Sequence, residues 1–453
     1  MKKIGTLKLH TSAEIASSRV SVGFECLDRD LFNPEKCYEP AGKSGIKHAR
    51  CQTGWAKCEK EKGVYDFSWL DSIVDSLLAR GIRPWFCVSY GNPVYMPDAL
   101  TPAAVGCAPL LYGEEVVEAW KAYVHSLAEH YRGRVTHFEI WNEPNLRAFW
   151  YPSEPDGAQY AQLLTLTGRV IRQVIPGAQI GGVVSRYAVD RFLEDFCAAV
   201  DPDDIDFFCY HAYSLRPEEN YIESIRALRE CFDRFGLGHV ELWQGEAGCP
   251  SWFPPNHHLH PRFPGTERLQ AVWMLRRFVT DLAAGAAMTS YFLIADIMEK
   301  PYAVAREVQT SPARHGILNG LTYTPKKSYE IISRLSTLLV GECFPLPGGI
   351  SVSCPGAEEK PLAFAFSVRN RPVWVYYLVT DIEIESPMRE GCTVRLGRPK
   401  LQDPVLINPY TGECFAIEEK DISRRQESVV LSNLPIGEYP LFLCDRDLYD
   451  IVP

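Results

Sequence analysis

Apolar positions along this 453-residue chain recur with two different periods. Over residues 69–80 the apolar side chains Leu70, Ile73, Val74, Leu77 and Leu78 fall three and four apart. That spacing lays one face of an α-helix on a core, and Gly81 follows where a helix would end. Similar patterns predict helices over residues 114–131, 160–174, 189–199, 222–235, 269–284 and 326–339. Between and before them lie short runs rich in apolar, aromatic and β-branched residues. These read as strands at 20–25, 46–51, 83–90, 135–140, 178–185, 206–213, 239–244 and 289–296. Eight strand–helix units in about 340 residues is the count of a closed parallel barrel. The fold class is therefore α/β, a (β/α)8 TIM barrel. A doubly wound open sheet is the alternative, but no Gly-x-Gly-x-x-Gly follows the first strand.

After residue 339 the texture changes to short alternating runs at 361–368, 372–379, 394–396, 405–408, 428–431 and 440–444. Turn formers such as Pro409-Tyr410-Thr411-Gly412 separate them, the pattern of an antiparallel β-sandwich. The expected organisation is a barrel over 1–340 and a sandwich over 341–453. Residues 1–15, through a strand over Leu7 to His10, are placed to add to the sandwich.

Charge and cysteine content narrow the function. A net charge of −10 argues against nucleic-acid or anionic-membrane partners, which need clustered Lys and Arg. Lys8 and His10 fall where the apolar core of a secretion signal would begin, and no apolar run is long enough to span a membrane. The fifteen cysteines are scattered, and none falls in a Cys-x-x-Cys pair. They read as reduced thiols of a cytoplasmic protein. His257, His258 and His260 invite a metal reading, but neighbours in one loop do not converge on an ion by spacing alone. No metal or cofactor is expected.

The strongest chemical signal is Trp141-Asn142-Glu143-Pro144-Asn145, directly after the fourth predicted strand. A carboxyl where a buried strand meets a loop is partly desolvated, which favours its protonated form and suits it to donate a proton. Asn142 offers a donor and an acceptor to a ligand hydroxyl. A second acid, Glu246 in Leu242-Trp243-Gln244-Gly245-Glu246-Ala247-Gly248, ends the seventh strand between glycines that allow close approach of a ligand. Glu241 lies at the start of that strand, the stability end of a barrel, and is set aside. Two carboxyls across one cavity meet the requirement for glycosidic bond cleavage. Catalytically inactive carbohydrate binding and isomerase or aldolase chemistry are weaker readings, because both acids are present and no Schiff-base lysine or clustered metal ligands stand at strand ends.

The Asn142-Glu143-Pro144 string and Glu246 resemble the clan A glycoside hydrolases. Tyr65-Asp66-Phe67 leading into Trp69-Leu70-Asp71, and Gly316-Ile317-Leu318-Asn319 with Pro325-Lys326, are most similar to family 39, which holds β-xylosidases and α-L-iduronidases. The resemblance implies a retaining, β-xylosidase-like hydrolase of a glycoside or oligosaccharide, and leaves open transglycosylation, a β-glucoside, β-galactoside, α-L-arabinoside or uronide as substrate, and a homo-oligomer; the long loops at 91–109 and 248–265 favour exo action. It implies Glu143 as acid/base, Glu246 as nucleophile and Asn142 on the sugar 2-hydroxyl. Tyr213 would donate to Glu246, His211 would contact substrate or Glu143, and Arg50 would hold Glu246 ionised, with His48 sharing its face of the strand. Gly245 departs from the family, where many relatives carry Thr or Ser, and the stretch 51–55 departs from the xylosidases. Trp55, Tyr90, Asn92, Trp150, Tyr151, Trp243, Trp252 and Phe253 fall at or beyond predicted strand ends and are the candidate sugar contacts.

Overall fold

The eight predicted strands pair in sequence order and close on themselves. The computed structural model describes residues 1–99, 101–252, 265–298, 302–304, 307–309, 312–397, 401–425 and 428–453. Barrel strands are β1 (Val20–Gly23), β2 (His48–Gln52), β3 (Arg83–Val88), β4 (His137–Ile140), β5 (Gln179–Val184), β6 (Phe207–His211), β7 (Glu241–Ala247) and β8 (Met288–Tyr291). Every pairing is parallel, and β8 returns to β1 through Thr289 opposite Val20. Side chains fill the inside and helices cover the outside, so both faces are buried and the strands read as continuous apolar runs.

Each strand feeds a helix. These are α1 (Tyr38–Lys43), α2 (Ser68–Leu78), α3 (Glu114–Tyr131), α4 (Gly157–Val174), α5 (Arg191–Ala199), α6 (Tyr221–Arg234), α7 (Glu267–Ala283) and α8 (Lys327–Leu338). Asp156, Asp190 and Thr266 cap α4, α5 and α7 by accepting from backbone amides in the first turn. The strands at 83–90, 206–213 and 289–296 end earlier than their apolar runs. Most residues beyond the last ladder bond, such as Ser89, Tyr90, Ala212 and Leu293, stay buried, and burial alone reads as strand.

The C-terminal region forms two packed antiparallel sheets. The larger has the order Cys343–Leu346, Pro361–Val368, Arg371–Leu378, Leu441–Asp445, Pro404–Ile407, Glu413–Ala416, Lys2–Leu7, Ile451–Val452. The smaller pairs Ile350–Ser353, Arg389–Gly397, Ser428–Ile436 and Ile422–Arg425. Alternation divides the work of the larger sheet: Trp374, Tyr376 and Leu443 join the core under the smaller sheet, while Val373, Val375 and Phe442 join the barrel's core. The first strand of the chain runs over Lys2–Leu7, ahead of the 7–10 expected. The short strands at 343–346, 350–353, 413–416, 422–425 and 451–452 escaped the hydrophobic pattern because most of their residues are only partly buried or exposed.

Helix α7 holds the two parts together. Every residue from Leu269 to Leu282 is buried, charged ones included, because the sandwich covers the face that would otherwise meet water. Arg276 donates from Nε to the Glu438 carbonyl at 2.6 Å, and from Nη1 and Nη2 to the Thr380 carbonyl and hydroxyl at 3.0 and 2.9 Å. Its guanidinium also lies 3.7 Å from Glu218, which accepts from the Tyr377 hydroxyl at 3.0 Å. Among the described residues no helix is long and apolar enough to cross a membrane. Arg276→Ala strands these buried acceptors and is expected to lower stability by about 3–5 kcal/mol. Urea unfolding checks this, and a loss below about 1 kcal/mol would mean that the junction does not depend on Arg276.

Candidate active site

The chain leaves β4 through two residues in left-handed backbone, Trp141 at φ 74° and Glu143 at φ 46°. For side chains other than glycine this conformation costs about 1–2 kcal/mol, so neighbours have to impose it. Trp141 is fully buried, donates its indole N–H to the Phe149 carbonyl at 2.7 Å and meets Tyr90 and Trp120 edge-on. Asn145 accepts from the Ser185 amide at 2.8 Å and so ties the far end of the string to the end of β5. Pinned at both ends, the segment presents Asn142 and Glu143 to the barrel mouth.

Glu246 arrives by a different device. Gln244 pairs with Tyr210 and Glu246 with His211, so Gly245 is an extra residue that bulges β7. A Cβ at 245 would lie 2.9 Å from Cys209 Cβ and 3.1 Å from its Sγ. That crowding explains the glycine that stands where relatives carry Thr or Ser.

One imidazole links the two acids. His211 Nδ1 is hydrogen-bonded to Glu143 Oε1 at 2.8 Å and lies 3.9 Å from Glu246 Oε2. Tyr213 donates its hydroxyl to Glu246 Oε1 at 2.8 Å, and Arg50 donates from Nη1 to Oε2 at 2.6 Å. Arg50 Nη2 donates to the Asn142 Oδ1 at 2.8 Å and to Glu139, and Nη1 reaches Glu25 at 3.4 Å. With its carbonyl taken by Arg50, Asn142 keeps its NH2 for a ligand. Burial alone would push Glu246 up, but His211, Arg50 and the Tyr213 hydroxyl together bring it below the usual carboxylate range. Burial alone would push His211 down, but the charges of Glu246 and Glu143 raise it above the usual imidazole value. The site thus couples an ionised carboxylate to a second carboxyl through a group able to carry charge.

Other expected contacts lie elsewhere. His48 starts β2, one layer below Arg50, where burial and the neighbouring His137 push it down to about 3. Two residues on one strand face share a side but differ in depth by about 7 Å. Trp243 belongs to the same lower layer, stacked on Phe207 at 4.1 Å and edge-on to Trp85 at 5.6 Å. Asn92 is fully buried and spends its amide on the Glu59 carbonyl and the Val94 amide. Tyr90 is buried, with its hydroxyl accepting from Gln52 and its ring against Trp141, so it backs the wall and does not face the cavity. Trp55 and Trp150 are fully buried in aromatic clusters. Tyr151 is half-buried. Trp252 is half-buried beneath the Arg314 guanidinium, next to His315, whose ring meets Tyr213 edge-on. Phe253, His257, His258 and His260 lie outside the described residues. Among the described residues no group of three or more His, Cys, Asp or Glu could hold a metal ion.

Two acids of the site escaped the sequence reading. Glu139 sits within β4, fully buried against Arg50, and Glu25 follows β1 with 1% of its surface exposed. A charged residue inside an apolar strand was the available signal for Glu139. Glu25 gave none, since its approach to Arg50 depends on barrel closure.

Residues 41–231 match the family model described as Glycosyl hydrolases family 39. That match covers less than half of the chain and marks it as similar to glycosyl hydrolase family 39. A β-xylosidase of Geobacillus stearothermophilus is 28% identical over 213 residues, 40% of this chain and 40% of that protein. A β-xylosidase of Caldicellulosiruptor saccharolyticus is 28% identical over 331 residues, 67% of this chain and 64% of that one. Both matches span less than two thirds of the relative's own length. A GH39 β-xylosidase structure from Caulobacter crescentus superposes with a TM-score of 0.60 at 18% identity over 98% of either chain. A family 39 structure from Bacteroides cellulosilyticus WH2 gives 0.65 at 16% identity, over 94% of this chain and 81% of that one. These structures support the barrel-plus-sandwich fold. The family model covers Glu143 and His211, while Glu246 lies beyond the matched residues.

If Cys209 is what requires glycine at 245, Gly245→Ala should lose about 1–3 kcal/mol from overpacking. Adding Cys209→Gly should return part of that loss in thermal unfolding. A Gly245→Ala protein as stable as the parent would sink this account.

Proposed function

We propose that this protein is a retaining O-glycoside hydrolase of family 39. Glu246 attacks the anomeric carbon, and Glu143 protonates the departing glycosidic oxygen. The carrying observation is that His211 Nδ1 lies 2.8 Å from one carboxyl and 3.9 Å from the other, so those two oxygens are within about 7 Å of each other. Carboxyl pairs that activate an intervening water stand ~6.5–9.5 Å apart, and covalent-displacement pairs ~5–5.5 Å. The lowered Glu246 pKa, which keeps that carboxyl an ionised nucleophile, supports direct attack, and the ceiling of about 7 Å is compatible with it.

In the first step the Glu246 carboxylate forms a bond to the sugar carbon as the bond to the leaving oxygen breaks, and the Glu143 proton goes to that oxygen. Arg50 and Tyr213 keep Glu246 ionised and aimed. The Asn142 amide donates to the sugar 2-hydroxyl, where charge redistribution in the oxocarbenium-like transition state strengthens the contact. In the second step Glu143, now a carboxylate, takes a proton from water as its oxygen attacks the same carbon and Glu246 leaves. Transfer to another sugar hydroxyl follows the same steps with that hydroxyl in place of water.

The relatives named β-xylosidases support a β-linked xyloside as the preferred substrate. The length of the 91–109 segment supports exo action, and its end is tied to the chain after Glu143, where the Tyr151 amide donates to the Gly106 carbonyl and the Ala108 amide to the Tyr151 carbonyl. A ladder of oligosaccharide products would overturn exo action.

The deciding experiment is intact mass after incubation with activated 2-fluoro glycosides of xylose, glucose, galactose, arabinose and glucuronic acid. One added sugar on the parent and none on Glu246→Gln is the expected result. No adduct with any sugar, together with no turnover of the matching aryl glycosides, would overturn hydrolysis. Glu143→Ala should slow poor leaving groups by about 10²–10⁴ while sparing activated ones. External azide should restore its turnover by attacking the glycosyl-enzyme without base assistance. Equal slowing of both leaving-group classes would remove Glu143 from the acid role. Tyr213→Phe removes a charge-assisted bond of about 1.5–3 kcal/mol. The acid limb of the pH–rate profile should therefore move to higher pH, because Glu246 becomes easier to protonate; an unmoved limb would leave Tyr213 without that role.

A further inference from the structure

The mechanism uses Glu246, Glu143, Arg50, Tyr213, His211 and Asn142, and leaves two buried acids, Glu25 and Glu139, unexplained. Arg50 is fully buried and its guanidinium touches three carboxyls: Glu246 at 2.6 Å, Glu139, and Glu25 at 3.4 Å. Even with His211 charged beside Glu246, two cations cannot balance three buried anions, so one of these carboxyls has to carry a proton. Glu25 makes the longest contact of the three, and among the described residues its Oε2, like that of Glu139, has no hydrogen-bond partner. Its carboxyl folds back over the backbone of Gly23, so that a Cβ at 23 would overlap Oε2. The pocket that holds it therefore exists only because residue 23 is glycine. The ionisable groups facing Glu25 are Arg50 and Cys51 from β2, Glu246 from β7, Tyr213 after β6 and Cys26 on its own loop. Arg50 is the cation among them.

We propose that Glu25 is a positioning residue that holds the proton of this buried cluster, so that Arg50 stays committed to Glu246. The proposal rests on the hydrolase reading for its kinetic consequence but not for the protonation itself. Burial raises the Glu25 carboxyl from 4.5 to about 8, with Arg50 opposing and Glu246 adding to the rise. Losing that proton places a second anion on Arg50 Nη1 in competition with the nucleophile.

The test compares the parent with Glu25→Gln, which keeps the neutral shape, and Glu25→Ala, which does not. At pH near 6.5 the parent-minus-Glu25→Gln infrared difference spectrum should show the carbonyl band of one protonated carboxyl, the Glu143 band being common to both. A difference spectrum without that band would overturn the proposal. The folded-state value lies above the unfolded one, so the proton's contribution to stability is complete below about 4.5 and is lost as pH rises through about 8. The parent should accordingly lose thermal stability relative to Glu25→Gln over that window, and parallel curves would count against the idea. With 2,4-dinitrophenyl β-D-xyloside, whose leaving group needs no acid, the parent's rate should fall above about pH 8. Glu25→Gln should lack that fall, and Glu25→Ala should lower kcat roughly tenfold with little change in KM. A fall of equal size in Glu25→Gln would overturn the positioning role. Absence of turnover by all three proteins would count against the hydrolase reading, while the infrared and unfolding comparisons would still decide for or against Glu25.

Discussion

The Arg50 guanidinium is the constraint on which the site depends. A fully buried cation is tolerated only where carboxyls and carbonyls surround it, and here they come from β1, β4 and β7 as well as the Asn142 amide. Because the three carboxyls come from three different strands or their ends, the interaction doubles as a gauge of barrel closure. If the strands shift, Glu246 loses the charge that keeps it ionised, and Asn142 loses the bond that orients its NH2. The same cation therefore ties the acidity of one carboxyl to the geometry around the other.

Above that layer the carboxyls are placed by backbone features that cost stability. Left-handed conformations at Trp141 and Glu143 and the bulge at Gly245 are each unfavourable in isolation. They persist because rigid neighbours impose them: the tryptophan cluster around Trp141, the Asn145–Ser185 tie, and the Cys209 side chain against Gly245. Below, an aromatic plug of Trp85, Trp243 and Phe207 fills the barrel floor. Helix α7 and its Arg276 extend the same logic outward, binding the sandwich to the barrel through buried hydrogen bonds.

Much of this was legible in the chain. The 3.6-residue spacing in residues 69–80 and 114–131 announced helices, and the predicted and observed spans of α3 agree residue for residue. The Trp141–Asn145 string and the glycine-flanked Glu246 announced the acid pair, because strand ends carry chemistry in a barrel. The misassigned contacts share one cause. His48 and Trp243 lie on inward-facing strand positions, but at the wrong depth, and periodicity gives side without depth. Asn92 and Tyr90 lie just past a strand end, where burial under a loop looks the same in sequence as exposure to a cavity.

The sequence by itself determined the eight-unit rhythm, the change to a sandwich after residue 339 and the identity of the two acids. Those are properties of local spacing and residue type, which need no knowledge of what packs on what. Only the tertiary structure decided that Glu25 and Glu139 join Arg50, that Gly245 is demanded by Cys209, and that the polar face of α7 is dry. Each of these depends on a contact between residues on different strands or in different domains, and the energy of such a contact is set by burial and distance, neither of which is written in the order of residues along one strand.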